Sequence, residues 1–95
     1  MLLLAVQLMF PYGRGRCSET YYMGWDGQGT ANEDACKSVC MSEHQCTFAE
    51  YLDDGAHQSC NRHSSATCHL LASSHYELSH YTFIKKGLLD FQYFN

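Results

Sequence analysis

Six cysteines fall within only 95 residues, and this density constrains the fold of the chain more than any other feature. An even number of cysteines in so short a chain is typical of a domain stabilised by disulfides in an oxidising compartment. A structural zinc site usually needs two Cys-x2-4-Cys pairs, whereas this spacing offers one Cys-x3-Cys. We therefore expect three disulfides, no bound metal and no cofactor. The six residues are Cys17, Cys36, Cys40, Cys46, Cys60 and Cys68.

Length and charge narrow the classes of function. The formal net charge is −4, with six Lys and Arg residues in total, whereas a nucleic-acid-binding domain normally presents a basic face. We therefore expect no nucleic-acid partner. A chain of 95 residues forms one domain with a thin core. No acid–base pair, activated nucleophile or phosphate-binding glycine loop emerges from the sequence, so we also predict that the protein is not an enzyme.

The chain begins with an apolar run, Met1–Phe10. It is too short to cross a bilayer, which takes about 20 residues. It suits either the remnant of a secretory signal or a strand that docks on a partner, and the sequence favours neither. Pro11, Gly13 and Gly15 then predict a flexible joint. The predicted divisions are an N-terminal segment with its joint (1–16), a domain (17–87) and an apolar C-terminal tail (88–95).

Local patterns predict one helix among several strands. The helix should begin at Thr30, because Thr30–Glu33 fits the capping box, and should end between Ser42 and His44. The polar stretch from residue 56 to residue 66 predicts a long loop. Strands are expected at residues 20–25, 46–52, 67–71 and 81–86.

Two of the cysteines share one face of this helix. Cys36 and Cys40 lie one turn apart, so their Cβ atoms cannot approach to the roughly 3.8 Å that a disulfide needs. Each must therefore bond to a cysteine outside the helix. A bond from Cys40 to Cys46 would tie the end of the helix to the following strand, and Cys36 would then reach a more distant strand.

Three stretches of the sequence resemble the apple/PAN family: ACKSVCMSEHQCTFAEY (35–51), TCHLL (67–71) and YTFIKK (81–86). In that family a helix carries Cys-x3-Cys, a third cysteine opens a strand, and a later Cys-x-Leu strand closes the core. The resemblance implies an α+β fold in which a curved antiparallel sheet cradles one helix and disulfides join the two.

The resemblance also implies two disulfide pairings, Cys36–Cys68 and Cys40–Cys46, and it leaves Cys17 to pair with Cys60. One departure from the family is clear, because its third disulfide uses a cysteine after the final strand and this chain has none after Cys68. By resemblance, the protein is expected to be a non-enzymatic module that binds proteins or carbohydrates, in a secreted, extracellular or organelle-lumenal setting.

Several side chains are candidates for binding. Tyr22 and Trp25 beside Asp26 would suit a sugar ring, through stacking on the aromatic faces and hydrogen bonds to the carboxylate. The alternative is that alternate residues of this strand face the core. Asp53-Asp54-Gly55 fits a solvated turn better than a calcium site. Five histidines between residues 57 and 80 suit a pH-dependent switch, although scattered surface histidines are the commoner arrangement.

A rival hypothesis follows from the two apolar ends. They would suit a structural accessory subunit that is clamped by its ends into a larger, membrane-associated assembly and contacts the membrane only through it. A competing explanation is that the two ends pair with each other as adjacent strands of the domain's own sheet. The candidate interface residues are Leu4, Leu8, Phe10, Leu88, Leu89, Phe91 and Phe94.

Overall fold

The computed structural model describes residues 7–18, 22–26, 32–72 and 79–87. In these ranges one helix packs against an antiparallel sheet, and three disulfides join the elements. This confirms the predicted disulfide-stabilised α+β fold. In chain order the elements are β1 (Gln7–Arg14), β2 (Arg16–Cys17), β3 (Tyr22–Asp26), α1 (Glu33–Ser42), β4 (Phe48–Asp53), β5 (Gln58–His63), β6 (Leu70–Leu71) and β7 (Ser79–Gly87).

The main sheet has the strand order β1-β7-β4-β5-β3, and every neighbouring pair is antiparallel. β4 is the central strand and pairs over its whole length with β5 and β7. Side chains of a strand alternate between the two faces of the sheet. The first four residues of β4 are all buried, so both faces of the sheet are covered at this point.

The N-cap of helix α1 is Asn32, whose side-chain oxygen accepts a hydrogen bond from the Ala35 amide at 2.8 Å. The prediction of Thr30 as the capping residue was therefore wrong. Asparagine is among the best N-caps because its short side chain reaches the unpaired amides of the first turn. The helix ends at Ser42, which confirms the predicted end.

The helix covers one face of the sheet. The core on this side comprises buried side chains of the helix, β4, β5 and β7, including Cys36, Tyr51 and Phe83. Met9 of β1 packs against the same cluster. The Lys37 Nζ atom lies over the ring of Phe83, 4.8 Å from the ring centroid. This cation–π contact covers the solvent-facing edge of the helix-side core.

The opposite face of the sheet is covered by β2 and β6, which pair with each other as a second small sheet. Cys17 and Cys68 form a cluster with Phe48, against which Ile84 packs. The ring of Tyr12 meets Phe48 edge-on at 5.1 Å, and its hydroxyl donates to the Cys68 carbonyl at 2.8 Å. The domain therefore has a small core on each side of one sheet.

All six cysteines are oxidised, as predicted, but only Cys40–Cys46 has the predicted partner. The other bonds are Cys17–Cys68 and Cys36–Cys60, so the pairings Cys36–Cys68 and Cys17–Cys60 were wrong. The physical reason is that helix and Cys68 lie on opposite faces of the sheet. Cys60 lies on the helix side, with its Cα 5.4 Å from that of Cys36.

Cys60 belongs to strand β5, in a stretch whose polar sequence predicted a loop. Residues 56–66 are polar, yet Gln58–His63 form β5 and lie between β3 and β4. The prediction failed because strand formation depends largely on burial and on packing against neighbouring strands. A local sequence pattern shows neither of these. The other predicted strands overlap the observed ones, although only Leu70 and Leu71 of the 67–71 stretch are extended in a sheet.

The N-terminal residues that the structure describes belong to the main sheet. β1 pairs with β7, with an irregularity between Pro11 and Gly13. Residues 1–16 were predicted to form a separate segment with a flexible joint, whereas residues 7–14 are hydrogen-bonded into the sheet. The physical reason is that β4 pairs with only one side of β7, and the backbone of this apolar run pairs with the other side.

Candidate functional site

Glu50 lies at the centre of the sheet and faces away from the helix. Its neighbours in the register are Asn61 on β5 and Thr82 on β7. The side chain is only 4% exposed, which is rare for a carboxylate, because charged groups are seldom fully buried unless they are paired. The surroundings of Glu50 must therefore compensate its charge.

Four nitrogen atoms surround the Glu50 carboxylate, two at each oxygen. Oε1 accepts a hydrogen bond from the Cys17 amide at 3.1 Å and lies 3.4 Å from His63 Nε2. Oε2 accepts from the Asn61 side-chain amide at 2.7 Å and lies 3.3 Å from His80 Nε2. A carboxylate offers about four lone-pair sites, so each of them has a nitrogen in contact.

These contacts keep the Glu50 carboxylate ionised. Burial by itself would raise the pKa of the carboxyl group. The interactions with His63, His80, Asn61 and the Cys17 amide outweigh burial and lower the pKa to about 2. At neutral pH the sheet thus holds a negative charge between two buried imidazoles, and two amides donate hydrogen bonds to it.

The backbone around Gly15 brings β2 onto this face of the sheet. The Gly15 amide donates to the His80 carbonyl at 2.9 Å, and Thr82 Oγ1 donates to the Gly15 carbonyl at 2.7 Å. Gly15 has φ +107°, and a Cβ at this position would lie 2.0 Å from the Leu71 carbonyl oxygen. Only glycine fits here, and the turn it permits delivers the Cys17 amide to Glu50.

A cavity of about 390 Å³ opens beside the network. This volume lies at the small end of the range of ligand pockets, roughly 300–1,000 Å³. Buried polar side chains of β4 and β5 form one side, and exposed residues of β2 and β6 form the rim. The lining residues are Arg16, Cys17, Ser18, Glu50, Asn61, His63 and Leu71.

The expectation of surface histidines holds for two of the five and was wrong for two others. His57 and His69 are exposed, whereas His63 and His80 are buried beside Glu50. His75 lies outside the described residues. The sequence signal that could have revealed this site is Glu50 itself. It is the one charged residue in the otherwise apolar stretch Phe48–Tyr51 of a strand, and a carboxylate that is buried there needs buried polar partners.

The predicted ligand-binding residues lie on the edge strand β3. The register places Tyr22 opposite His63, Trp25 opposite Asn61 and Asp26 opposite Cys60. Their side chains lie outside what the structure describes. β3 is nevertheless hydrogen-bonded to the strand that contributes Asn61 and His63 to the cavity, so the candidate residues and the cavity occupy neighbouring strands.

Of the predicted interface residues, the structure describes two. Leu8 is 42% exposed, and Phe10 is half-buried. Residues 7–10 pair with residues 84–87 of β7, so this part of the N-terminal run is an edge strand of the domain. Leu4, Leu88, Leu89, Phe91 and Phe94 lie outside the described residues.

The Asp53-Asp54-Gly55 sequence forms an exposed turn, as predicted. Asp54 accepts hydrogen bonds from the amides of Ala56 and His57, and Asp53 accepts one from the Gly55 amide. The backbone hydrogen bonds from His57 and Ala56 lower the pKa of Asp54. These oxygens serve the turn itself.

Potential metal ligands meet beside the cavity, where the side chains of Cys17, Glu50 and His63 have ligand atoms within 4.8 Å of one another. The Cys17 sulfur is bonded to Cys68, so in the oxidised protein this group offers one carboxylate and one imidazole. A stable protein site for zinc uses three or four ligands. The set therefore fits a structural role for Glu50 and His63 better than metal binding.

Within the described part of the chain, no helix has both the length and the apolar character needed to cross a membrane. The three disulfides fit an oxidising environment. Comparison of the chain with protein-family models, with curated proteins and with solved structures found no match in any of the three.

Proposed function

We propose that the protein is a non-enzymatic binding module of the apple/PAN type, secreted or lumenal, that recognises a carbohydrate in the cavity beside Glu50. The observation that carries the proposal is the cavity itself, a small pocket with a rigid polar wall in a domain fixed by three disulfides. Pockets that combine placed polar groups with some apolar surface are typical of small-ligand sites.

The lining of the cavity supports a sugar as the ligand. A sugar ring carries hydroxyl groups around its edge and C–H groups on its faces. Asn61 and Ser18 bring an amide and a hydroxyl group to the lining, and the exposed side chain of Leu71 adds apolar surface. The wall is pre-organised by the disulfide at Cys17, which reduces the entropy lost on binding.

The Glu50 network favours binding over catalysis. A general base must be able to reach a proton of the substrate. Both oxygens of Glu50 already contact two protein nitrogens each, and the low pKa of this carboxyl group makes it a weak base. These properties suit a group that holds the pocket wall in place.

Nuclear magnetic resonance titration of the oxidised protein tests the proposal. Neutral and acidic monosaccharides, glucose, galactose and glucuronic acid, are added separately, and amide shifts are followed. We expect saturable shifts at Ser18 and Asn61. The variant Ser18→Tyr should block the mouth of the cavity and abolish them. Ser38→Tyr, at an exposed helix position on the other side of the sheet, is the matched control. Saturable shifts that survive in Ser18→Tyr, or no shifts with any sugar, would contradict the proposal.

A second candidate function, an accessory subunit of a larger assembly, is favoured by one observation. Two large apolar side chains of the edge strand β1, Leu8 and Tyr12, are 42% and 41% exposed. An exposed apolar edge strand is a ready site for pairing with another chain. Sedimentation of the purified protein separates the two functions, because a free-standing module should be a monomer at all concentrations and a subunit without its assembly should self-associate.

A further inference from the structure

The charged groups that line the cavity differ in how much hydrogen-bonding capacity they have left for a ligand. The Glu50 oxygens are each occupied by two protein nitrogens, so the buried carboxylate has little capacity left to accept hydrogen bonds from a ligand. The hydrogen-bonding capacity of this carboxylate is thus used within the protein. Recognition of charge in the cavity therefore depends on the rim.

Arg16 is the cation at that rim. Its side chain is exposed, and within the described ranges no ion pair involves it. The other two arginines have partners: Arg62 forms an ion pair with Glu43, and Arg14 lies over the Tyr81 ring at 5.4 Å from its centroid. A guanidinium offers five N–H donors in a planar fork that matches a carboxylate.

The backbone of Arg16 is held in place on both sides. The preceding residue, Gly15, is hydrogen-bonded to His80 and Thr82. The following residue, Cys17, is bonded to Cys68 and donates its amide to Glu50. Arg16 itself pairs with Leu71 across β2 and β6. The Arg16 side chain thus extends from a backbone position that is fixed at the rim. This lowers the entropy lost when the guanidinium forms a specific contact.

We propose that the carbohydrate bound in this cavity carries a carboxylate, as uronic and sialic acids do, and that Arg16 receives that group. This inference rests on the proposed function and makes it more specific. The sugar ring lies between Asn61 on the polar wall and Ser18 on the rim, and its carboxylate points towards Arg16. A neutral sugar makes the first set of contacts and lacks the second.

Titration of the oxidised protein with glucuronic acid, glucose and acetate tests the inference. A charge-assisted, bidentate contact should make glucuronic acid bind roughly tenfold or more tightly than glucose. The preference should fall as salt is raised, because an exposed contact is screened. Acetate, which has the carboxylate alone, should bind more weakly than glucuronic acid.

Two variants with the same change of charge locate the effect. Arg16→Gln should remove the preference, so that glucuronic acid and glucose bind with similar affinity. Arg14→Gln, two residues away and directed to Tyr81, should keep the preference. Equal binding of glucose and glucuronic acid, or a preference that persists in Arg16→Gln, would overturn the inference while the proposed function stands. Acetate binding as tightly as glucuronic acid would overturn the assignment to a sugar acid. Absence of binding by both sugars would remove the proposed function and this inference together.

Discussion

A buried carboxylate in a domain this small has to be compensated by groups that the fold supplies at fixed positions. Glu50 is contacted by one backbone amide, one side-chain amide and two imidazoles, which come from the three strands β2, β5 and β7. Breaking a buried charged network by removal of one member typically destabilises a protein by several kcal/mol, because the remaining groups stay buried without their partner. The charge of Glu50 is therefore one of the contacts that hold β2 on the sheet, through the Cys17 amide.

The first prediction concerns the charge of Glu50. Its pKa is lowered from 4.5 to about 2 in the folded protein, so ionisation contributes up to roughly 3 kcal/mol of stability at neutral pH. A lowered pKa gives stability that is present above the unfolded-state value and is lost as the pH falls through the folded-state value. We expect Glu50→Gln to destabilise the protein at pH 7 by an amount of this order, and the difference from wild type to shrink between pH 4.5 and pH 2. Urea denaturation at several pH values measures both effects.

Asp34→Asn provides the control for Glu50→Gln. Asp34 lies in the first turn of the helix, and its side chain is 91% exposed. Its replacement should change the stability by a few tenths of a kcal/mol. A loss of stability in Glu50→Gln that is as small as in Asp34→Asn, or that is independent of pH, would show that the carboxylate is not ionised in the folded protein.

The network around Glu50 was the part of the site that sequence reasoning did not predict. The strand that carries Glu50 was predicted correctly, but its polar partners on β5 lie in a stretch that looks like a loop. Local patterns do not show which strands become neighbours. The cysteine-rich character, the helix and the C-terminal strand could be predicted, because each depends on residues that are close in the sequence.

At the scale of single elements, the helix depends on its first turn. α1 has ten residues, which is marginal for a helix without tertiary contacts. Asn32 satisfies one amide, and Glu33 and Asp34 place negative charge at the N-terminus, where the helix dipole favours it. Lys37 is close to both carboxylates, so the first turn is tied by side chains as well as by the cap.

The second prediction concerns this cap. We expect Asn32→Ala to destabilise the protein by about 1 kcal/mol, because the Ala35 amide loses its acceptor. Asn32→Asp should keep most of the stability, since aspartate caps equally well. Urea denaturation with the disulfides intact measures the change. Equal losses in the two variants would mean that the side chain at this position has a role other than capping.

At the scale of the whole molecule, two of the disulfides lie on opposite faces of the sheet. Cys36–Cys60 joins the helix to β5, and Cys17–Cys68 closes the core on the other side. The bond Cys40–Cys46 spans only six residues of sequence. A disulfide stabilises mainly by restricting the unfolded chain, and the effect grows with the length of the loop it closes.

The third prediction compares pairs of cysteine replacements. Cys17→Ala with Cys68→Ala removes a bond with a separation of 51 residues, and loop entropy predicts a loss of roughly 4 kcal/mol. Cys40→Ala with Cys46→Ala should lose roughly 2 kcal/mol. Thermal denaturation of the two variants measures the order. A larger loss for the short loop would contradict the prediction, and peptide mapping without reduction checks the remaining bonds.

The contact between the Cys17 amide and Glu50 has a consequence for how the chain acquires its disulfides. Six cysteines permit 15 fully paired isomers, and several of them join residues that are near in the sequence. An isomer that bonds Cys17 to another cysteine moves its amide away from the sheet and leaves the anion short of a donor. Because a buried charge that loses a donor is costly, we expect such an isomer to be less stable than the native one and to return more readily to thiol exchange. The native bond at Cys17 should therefore be favoured during oxidative folding.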